Sequence, residues 1–261
     1  MVTYEQANMQ NTIRILKPMG TYSEKQARKY LKVGLISLIP FAILFVINID
    51  KLPFYMNWGR YEVHKGMIMG ISATFGAFFL MLPYRTWKSG LNGERAVIKN
   101  ISDKLSNEYS LFNDVLLADG KRLGNIDHII VGPTGIFVIE TKNNRGEVSF
   151  NGYRWKGVSK NPSDQVERNL FRVKNLLKQC PVFAQKDPYV HGILLFSNKK
   201  AKLSIDQEKL KWTNKIIRIR NQSDWSLAQY IINEPMVFSF QEIGLIEQFL
   251  KAKIGNYNEA L

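Results

Sequence analysis

The stretch NIDHIIVGPTGIFVIETKN, residues 125 to 143, places the tightest constraint on this chain. Ile126, Ile129, Ile130 and Val131 make one apolar run, and Ile136, Phe137, Val138 and Ile139 make a second. Gly132-Pro133-Thr134-Gly135 between them is a turn signal, so the two runs read as buried strands joined end to end. The same stretch carries Asp127, Glu140 and Lys142. Burying unpaired charge is expensive, and three such groups at strand ends call for a partner or a metal.

The residues around this pair define the rest of the domain. Val97, Ile101 and Leu105 recur at helical spacing, with Glu94 three residues upstream on the same stripe. Leu111 to Leu117 reads as a strand. Glu147 to Phe150 and Tyr153 to Lys156, joined by Asn151-Gly152, read as a hairpin. Asn161, Pro162 and Asp164 open a capped helix whose apolar stripe is Val166, Leu170, Val173 and Leu177. "VHGILLFS" and "KIIRI" read as further strands, and two helices follow, from about Asp224 to Ile232 and about Gln241 to Lys253. This order predicts an α/β domain with a mixed sheet.

Two segments are unlike the remainder. Residues 33 to 49 and 66 to 83 carry no charge. With their flanking residues they predict a transmembrane hairpin with spans at about 31–49 and 66–84. Phe54, Tyr55, Trp58, Tyr84 and Trp87 suit an interfacial aromatic belt. Lys17, Lys25, Arg28, Lys29 and Lys32 precede the first span, and Arg85, Lys88, Arg95, Lys99 and Lys104 follow the second. The connecting loop holds Lys51, Arg60 and Lys65, so the charge asymmetry predicts a multi-pass protein of the cell membrane with both termini cytoplasmic. The expected organisation is an N-terminal segment 1–30, a membrane hairpin 31–88 and a domain 89–261.

The formal net charge of +14 favours a polyanionic partner, either nucleic acid or an anionic membrane surface. The single cysteine, Cys180, excludes an internal disulfide and a cysteine-rich metal site. His64, His128 and His191 lack zinc-site spacing, and His128 points to the face opposite Asp127.

Side chains alternate along a strand, so Glu140 and Lys142 project to one side, and pairing of the two strands brings Asp127 to the same edge. Glu94 reaches this edge from the first helix. Asp with Glu is an oxygen-ligand pair suited to Mg²⁺ or Mn²⁺, with Lys142 beside it to stabilise developing charge. On spacing alone, a structural Glu-Lys pair at a strand end is an equal alternative. Arg154, Lys156, Lys160 and Arg168 are the basic residues best placed to contact a phosphate backbone.

The run from "NGERAVIKNI" through "GNIDHIIVGPTGIFVIETKNNRGEV" to Asn161-Pro162-x-x-Gln165 resembles the nuclease-related domain, NERD, over roughly residues 90 to 200. The resemblance implies the restriction-endonuclease-like fold of the PD-(D/E)xK superfamily: a mixed sheet flanked by helices. It implies that Asp127 and Glu140 are the metal-binding carboxylates and Lys142 the catalytic lysine. Glu94 falls where the superfamily often has an acidic residue on its first helix, and Gln165 where nucleases of the RecB type carry a glutamine. Ile126 stands in place of the proline of the named motif. The expected activity is hydrolysis of phosphodiester bonds, in DNA ahead of RNA, dependent on Mg²⁺ or Mn²⁺. The alternative is a non-catalytic nucleic-acid-binding or scaffolding module with the same fold.

Overall fold

Central strands that are apolar on both faces have to be covered from both sides, and the fold meets that need. The computed structural model describes residues 12–18, 21–47, 60–119, 122–152, 154–158, 161–205, 217–221 and 226–259. Strands β1 (Arg14–Lys17), β2 (Ser110–Asp119), β3 (Arg122–Gly132), β4 (Gly135–Lys142), β7 (Val190–Phe196) and β9 (Ile217–Asn221) form one sheet in the order β1-β2-β3-β4-β7-β9. β2, β3 and β4 run antiparallel in succession, while β7 pairs parallel with β4, and β9 with β7. A smaller sheet, β6-β5-β8, is built from β5 (Gly146–Phe150), β6 (Trp155–Lys156) and β8 (Ala201–Ile205).

Alternation along the central strands separates two cores. Ile129, Val131, Val138, Leu194 and Phe196 pack with Val166, Leu170 and Val173 of α3 (Pro162–Leu177) and with Ile246 and Leu250 of α5 (Phe240–Glu259). Ile130, Phe137, Ile139, Ile193 and Leu195 pack with Val97 and Ile101 at the end of α2 (Arg60–Ser102) and with Leu227 and Ile231 of α4 (Leu227–Asn233). The sheet is therefore mixed and flanked by helices, as its sequence pattern predicts.

Residues 92–261, with the N-terminal residues up to 20, make one unit, and residues 21–91 make another. The second unit holds α1 (Thr21–Ile47) and most of α2. Here the sequence expectation is corrected. Among the described residues no helix is long and apolar enough to cross a membrane. The window 66–83 is an internal stretch of α2, and α1 begins twelve residues before the window 33–49. α1 opens through Glu24, Lys25, Arg28, Lys29 and Lys32, and α2 continues through Arg85, Lys88, Arg95 and Lys99. The predicted membrane hairpin and the multi-pass placement with its orientation are therefore overturned, and no spanning helix supports the bilayer as a partner. Phe54, Tyr55, Trp58 and Lys51 lie outside the described residues, as do the first eleven residues.

Two strands carry no clear sequence signal. β1 is a four-residue strand held by a distant partner: Arg14 donates from Nη2 and Nη1 to Glu247 at 2.6 and 3.2 Å, and Ser110 Oγ donates to the same carboxylate at 2.6 Å. β8, paired with β5, alternates exposed Lys202 and Ser204 with buried Ala201 and half-buried Leu203 and Ile205. The 147–156 hairpin forms with a wider loop than Asn151-Gly152 alone suggests: its last pair is Phe150 with Trp155, and Asn151 Oδ1 accepts from the Arg154 amide at 2.9 Å.

α3 begins as its sequence predicts. Asn161 accepts from the amides of Ser163 and Asp164 at 3.1 and 3.3 Å, with Pro162 at the first helical position. Asn161→Ala removes this cap and is expected to destabilise the chain by about 1 kcal/mol, lowering the melting temperature by about 2–4 °C. A calorimetric scan checks this. An unchanged melting temperature would mean that Pro162 and tertiary packing alone fix the helix start.

Candidate active site

The β3–β4 ladder runs from Gly132–Gly135 to His128–Ile139, and one step further brings Asp127 across from Glu140. There the ladder gives way to side-chain contacts. Asp127 Oδ2 accepts from the Thr141 amide at 2.6 Å, which fixes this carboxylate against the neighbouring strand. Glu140 is almost wholly buried, and its Oε1 takes a hydrogen bond from Lys142 Nζ at 2.6 Å. Lys142 Nζ also donates to Gln165 Oε1 on α3 at 2.9 Å. Asn169, one helical turn further along α3, donates from Nδ2 to Glu140 Oε2 at 3.2 Å. The ion pair is thus held from the strand below and the helix above.

Helix α3 is itself registered on the site by the small sheet. Trp155 Nε1 donates to Ser163 Oγ at 3.1 Å, and Asn144, just past Lys142, donates to the Gly157 carbonyl at 2.8 Å. The site therefore sits at the carboxyl ends of β4 and β7, where open α/β sheets generally leave a crevice.

Glu94 comes from the end of α2, and Gly93 is the reason it can. A Cβ on Gly93 would lie 2.7 Å from Ser197 Oγ and 2.8 Å from Asn143 Cβ. Only a bare backbone lets the helix approach the ends of β4 and β7 so closely. Glu94 is buried, and its Oε2 has no hydrogen-bond partner.

Asp114 is a site residue that the strand pattern does not announce. It lies in β2 with φ of 53°, and the β2–β3 ladder passes from Asn113–His128 to Val115–Ile126 without pairing it. Alternation changes parity there. Phe112 faces the α3 core, and so do Val115 and Leu117. A left-handed residue inside a strand is strained and typical of functional sites. Asp114 is fully buried, and its carbonyl accepts from the buried Lys17 Nζ of β1. Asn113 beside it donates to the Lys17 carbonyl at 3.0 Å and bonds His128 Nδ1 at 2.8 Å. The signal available in sequence was the polar pair Asn113-Asp114 inside an otherwise apolar strand.

Burial raises the carboxyl pKa values, and neighbouring carboxylates raise two of them further. Burial first, then the charges of Asp114 and Glu140, raises Glu94 to about 8. Asp127 is pushed well above the ordinary carboxylate range by burial, then by Glu140 and Glu94. Burial raises Glu140 as well, against the opposing pull of Lys142 and Arg168. His128, buried on the opposite face, is lowered to about 3 by burial and stays neutral; it belongs to the core, as its position in the strand suggests.

The structure thus brings Glu94, Asp127, Glu140, Lys142 and Gln165 together. Arg168 on α3 is exposed and close enough to act on the Glu140 charge. Arg154 and Lys156 are exposed at β6, and Lys160 lies outside the described residues. Asn169 was missed although it stands one turn from Gln165 on the same helical face.

A mixed α/β domain with a buried carboxylate–lysine cluster at its strand ends is the frame of a nuclease-like protein. The comparison with family models agrees: residues 89–197 match the nuclease-related domain, NERD, which is consistent with placement in the PD-(D/E)xK superfamily. An uncharacterized protein of Bacillus anthracis is 32% identical over 104 residues, which is 36% of this chain and 48% of the relative. The crystal structure of protein VC1899 from Vibrio cholerae aligns with a TM-score of 0.30 and 9% identity, over 85% of this chain and 55% of that one, a likeness too low to carry an argument. The chain spans about half the length of the relatives it matches.

The raised carboxyl groups make stability pH-dependent. A carboxyl whose pKa is higher in the folded state keeps a proton that the unfolded chain has released, so folding is favoured at low pH. For Glu94 this contribution is full below its ordinary value of 4.5 and is lost as pH rises through about 8. With divalent ions chelated, the melting temperature is expected to fall across that window, and to fall less in Glu94→Gln. An equally steep fall in the variant would remove Glu94 from this account.

Proposed function

We propose that the domain hydrolyses phosphodiester bonds of nucleic acid, DNA ahead of RNA, with Mg²⁺ or Mn²⁺. The observation that carries this reading is the Lys142 ammonium, joined to Glu140 and aligned by Gln165 beside Asp127. The nuclease-related domain match covers these residues.

The residues fit a hard divalent cation. Their donors are carboxylate oxygens, their negative charges crowd one another, and Glu94 Oε2 is buried with no partner. Among the described residues no group of three or more His, Cys, Asp or Glu side chains is arranged to hold a metal ion. Mg²⁺ needs only one or two carboxylates and completes its shell with water and phosphate. Asp127 and Glu140 would hold the cation. When bound it would lower the pKa of a water and offset charge on the phosphodiester.

The chain's own residues supply the remainder. Lys142, in contact with the Glu140 carboxylate, offers a fixed positive charge to the oxygens that become negative as the phosphorus is attacked. Gln165, an acceptor toward Lys142, keeps the ammonium from turning away. The Thr141 amide holds Asp127 in one orientation. Arg154, Lys156 and Arg168 offer exposed charges for the phosphate backbone on either side.

Distinct roles should fail in distinct ways. Asp127→Asn and Glu140→Gln are expected to abolish cleavage and weaken Mn²⁺ binding. Lys142→Ala is expected to keep Mn²⁺ and substrate binding while losing rate about a hundredfold or more. Cleavage rate measured beside melting temperature decides the matter. If each change lowers stability and none selectively removes an activity, the Glu140–Lys142 pair is structural.

Binding gives an independent check. The affinity of the chain for polynucleotides should fall steeply with salt, and Arg154→Ala with Lys156→Ala should flatten the log–log slope by about 0.9 per lost phosphate contact. A slope near zero in the parent chain would remove nucleic acid as the polyanionic partner.

A further inference from the structure

We infer that Asn169 is a positioning residue for Glu140, with Arg172 setting its orientation from behind. The inference rests on the proposed nuclease site and adds residues to it. Asn169 is about as deeply buried as Glu140, and the two meet side chain to side chain. Its Nδ2 donates to Glu140 Oε2 at 3.2 Å, and its Oδ1 accepts from Arg172 Nη1 at 3.2 Å. Arginine can only donate, so the amide oxygen must face Arg172 and the amide nitrogen must face the carboxylate. The chain Arg172–Asn169–Glu140 therefore has one polarity, with each donor pointing toward the anion.

The backbone opposite is shaped to admit this arrangement. A Cβ on Gly124 of β3 would lie 2.2 Å from Arg172 Nη1 and 2.5 Å from its Cζ, so the guanidinium rests directly on a bare strand. That contact fixes the far end of the chain on the strand that also carries Asp127.

The physical consequence lies in the last torsion of Glu140. A carboxylate rotates over a broad, shallow range unless both oxygens are held. Lys142 holds Oε1, and Asn169 holds Oε2. Gln165 and Asn169, one turn apart on α3, thus steady the two members of the ion pair separately: Gln165 the lysine, Asn169 the carboxylate. Without Asn169 the carboxylate can turn, and both its metal-binding edge and its grip on Lys142 are lost together.

Two variants of the full chain test this. Asn169→Leu keeps comparable volume and removes the donor; Arg172→Met leaves Asn169 in place and frees its amide. For Asn169→Leu we expect kcat to fall about 10–100-fold and the Mn²⁺ Kd to rise by a similar factor, while KM for a polynucleotide changes less than about threefold. A crystal structure of the variant should show Glu140 turned from its present orientation. Arg172→Met should move the same quantities in the same direction by a smaller factor, and it decides the question alone if Asn169→Leu does not fold. A purely structural role for Asn169 predicts a lower melting temperature with Mn²⁺ affinity and the kcat-to-KM pattern intact. The inference is overturned if Glu140 keeps both its orientation and its Lys142 contact in the variants and Mn²⁺ binds as in the parent. If the parent chain cuts no polynucleotide, the nuclease reading fails by itself, and the orientation of Glu140 in the variants still decides the role of Asn169.

Discussion

The repulsion among buried carboxylates at the end of β4 is the interaction on which the site depends. Glu94, Asp127 and Glu140 are each removed from water; Glu140 adds to the charging cost of Glu94, and both add to that of Asp127. A chain selected for stability alone would have no use for this crowding, since apolar residues of similar size fill such a space at less cost. Lys142 offsets part of it through the 2.6 Å contact to Glu140. With one lysine against three carboxyl groups, the remaining carboxyls hold protons unless another cation takes their place.

The fold concentrates these groups by three separate devices. Pairing of β3 with β4 sets Asp127 across from Glu140. The bare backbone at Gly93 lets α2 bring in Glu94 from the face opposite α3. The left-handed turn of β2 at Asp114 changes the facing of that strand and carries a fourth carboxylate close enough for Glu94 to feel its charge. β1 supports this turn from outside the nuclease-related segment, through Lys17 on the Asp114 carbonyl and Arg14 on Glu247.

What could be read from sequence was whatever local spacing determines. The apolar strand pair, the Asn161-Pro162 start of α3 and the convergence of Asp127, Glu140 and Lys142 follow from alternation, capping and one turn. Asp114 was hidden because its importance comes from a backbone angle and a partner strand, neither of which composition records. β1 was hidden because its stability comes from Glu247, more than two hundred residues away. Asn169 was within reach, since helical spacing from Gln165 places it on the same face, but its partner is set by tertiary packing. The membrane spans were overread for a related reason. A window of uncharged residues says how apolar a segment is, while the helix that forms extends through whatever charged turns adjoin it.

The claim that this crowded acidic site is built for a divalent cation is tested most directly by thermal stability of the metal-free chain at about pH 8 as Mn²⁺ is added. A cation that binds the folded state alone raises stability in proportion to the logarithm of its concentration once the site is saturated. The account predicts a melting temperature that climbs with Mn²⁺ in the parent chain and no such climb in Glu140→Gln. A melting temperature indifferent to Mn²⁺, or one that rises equally in both chains, would contradict it.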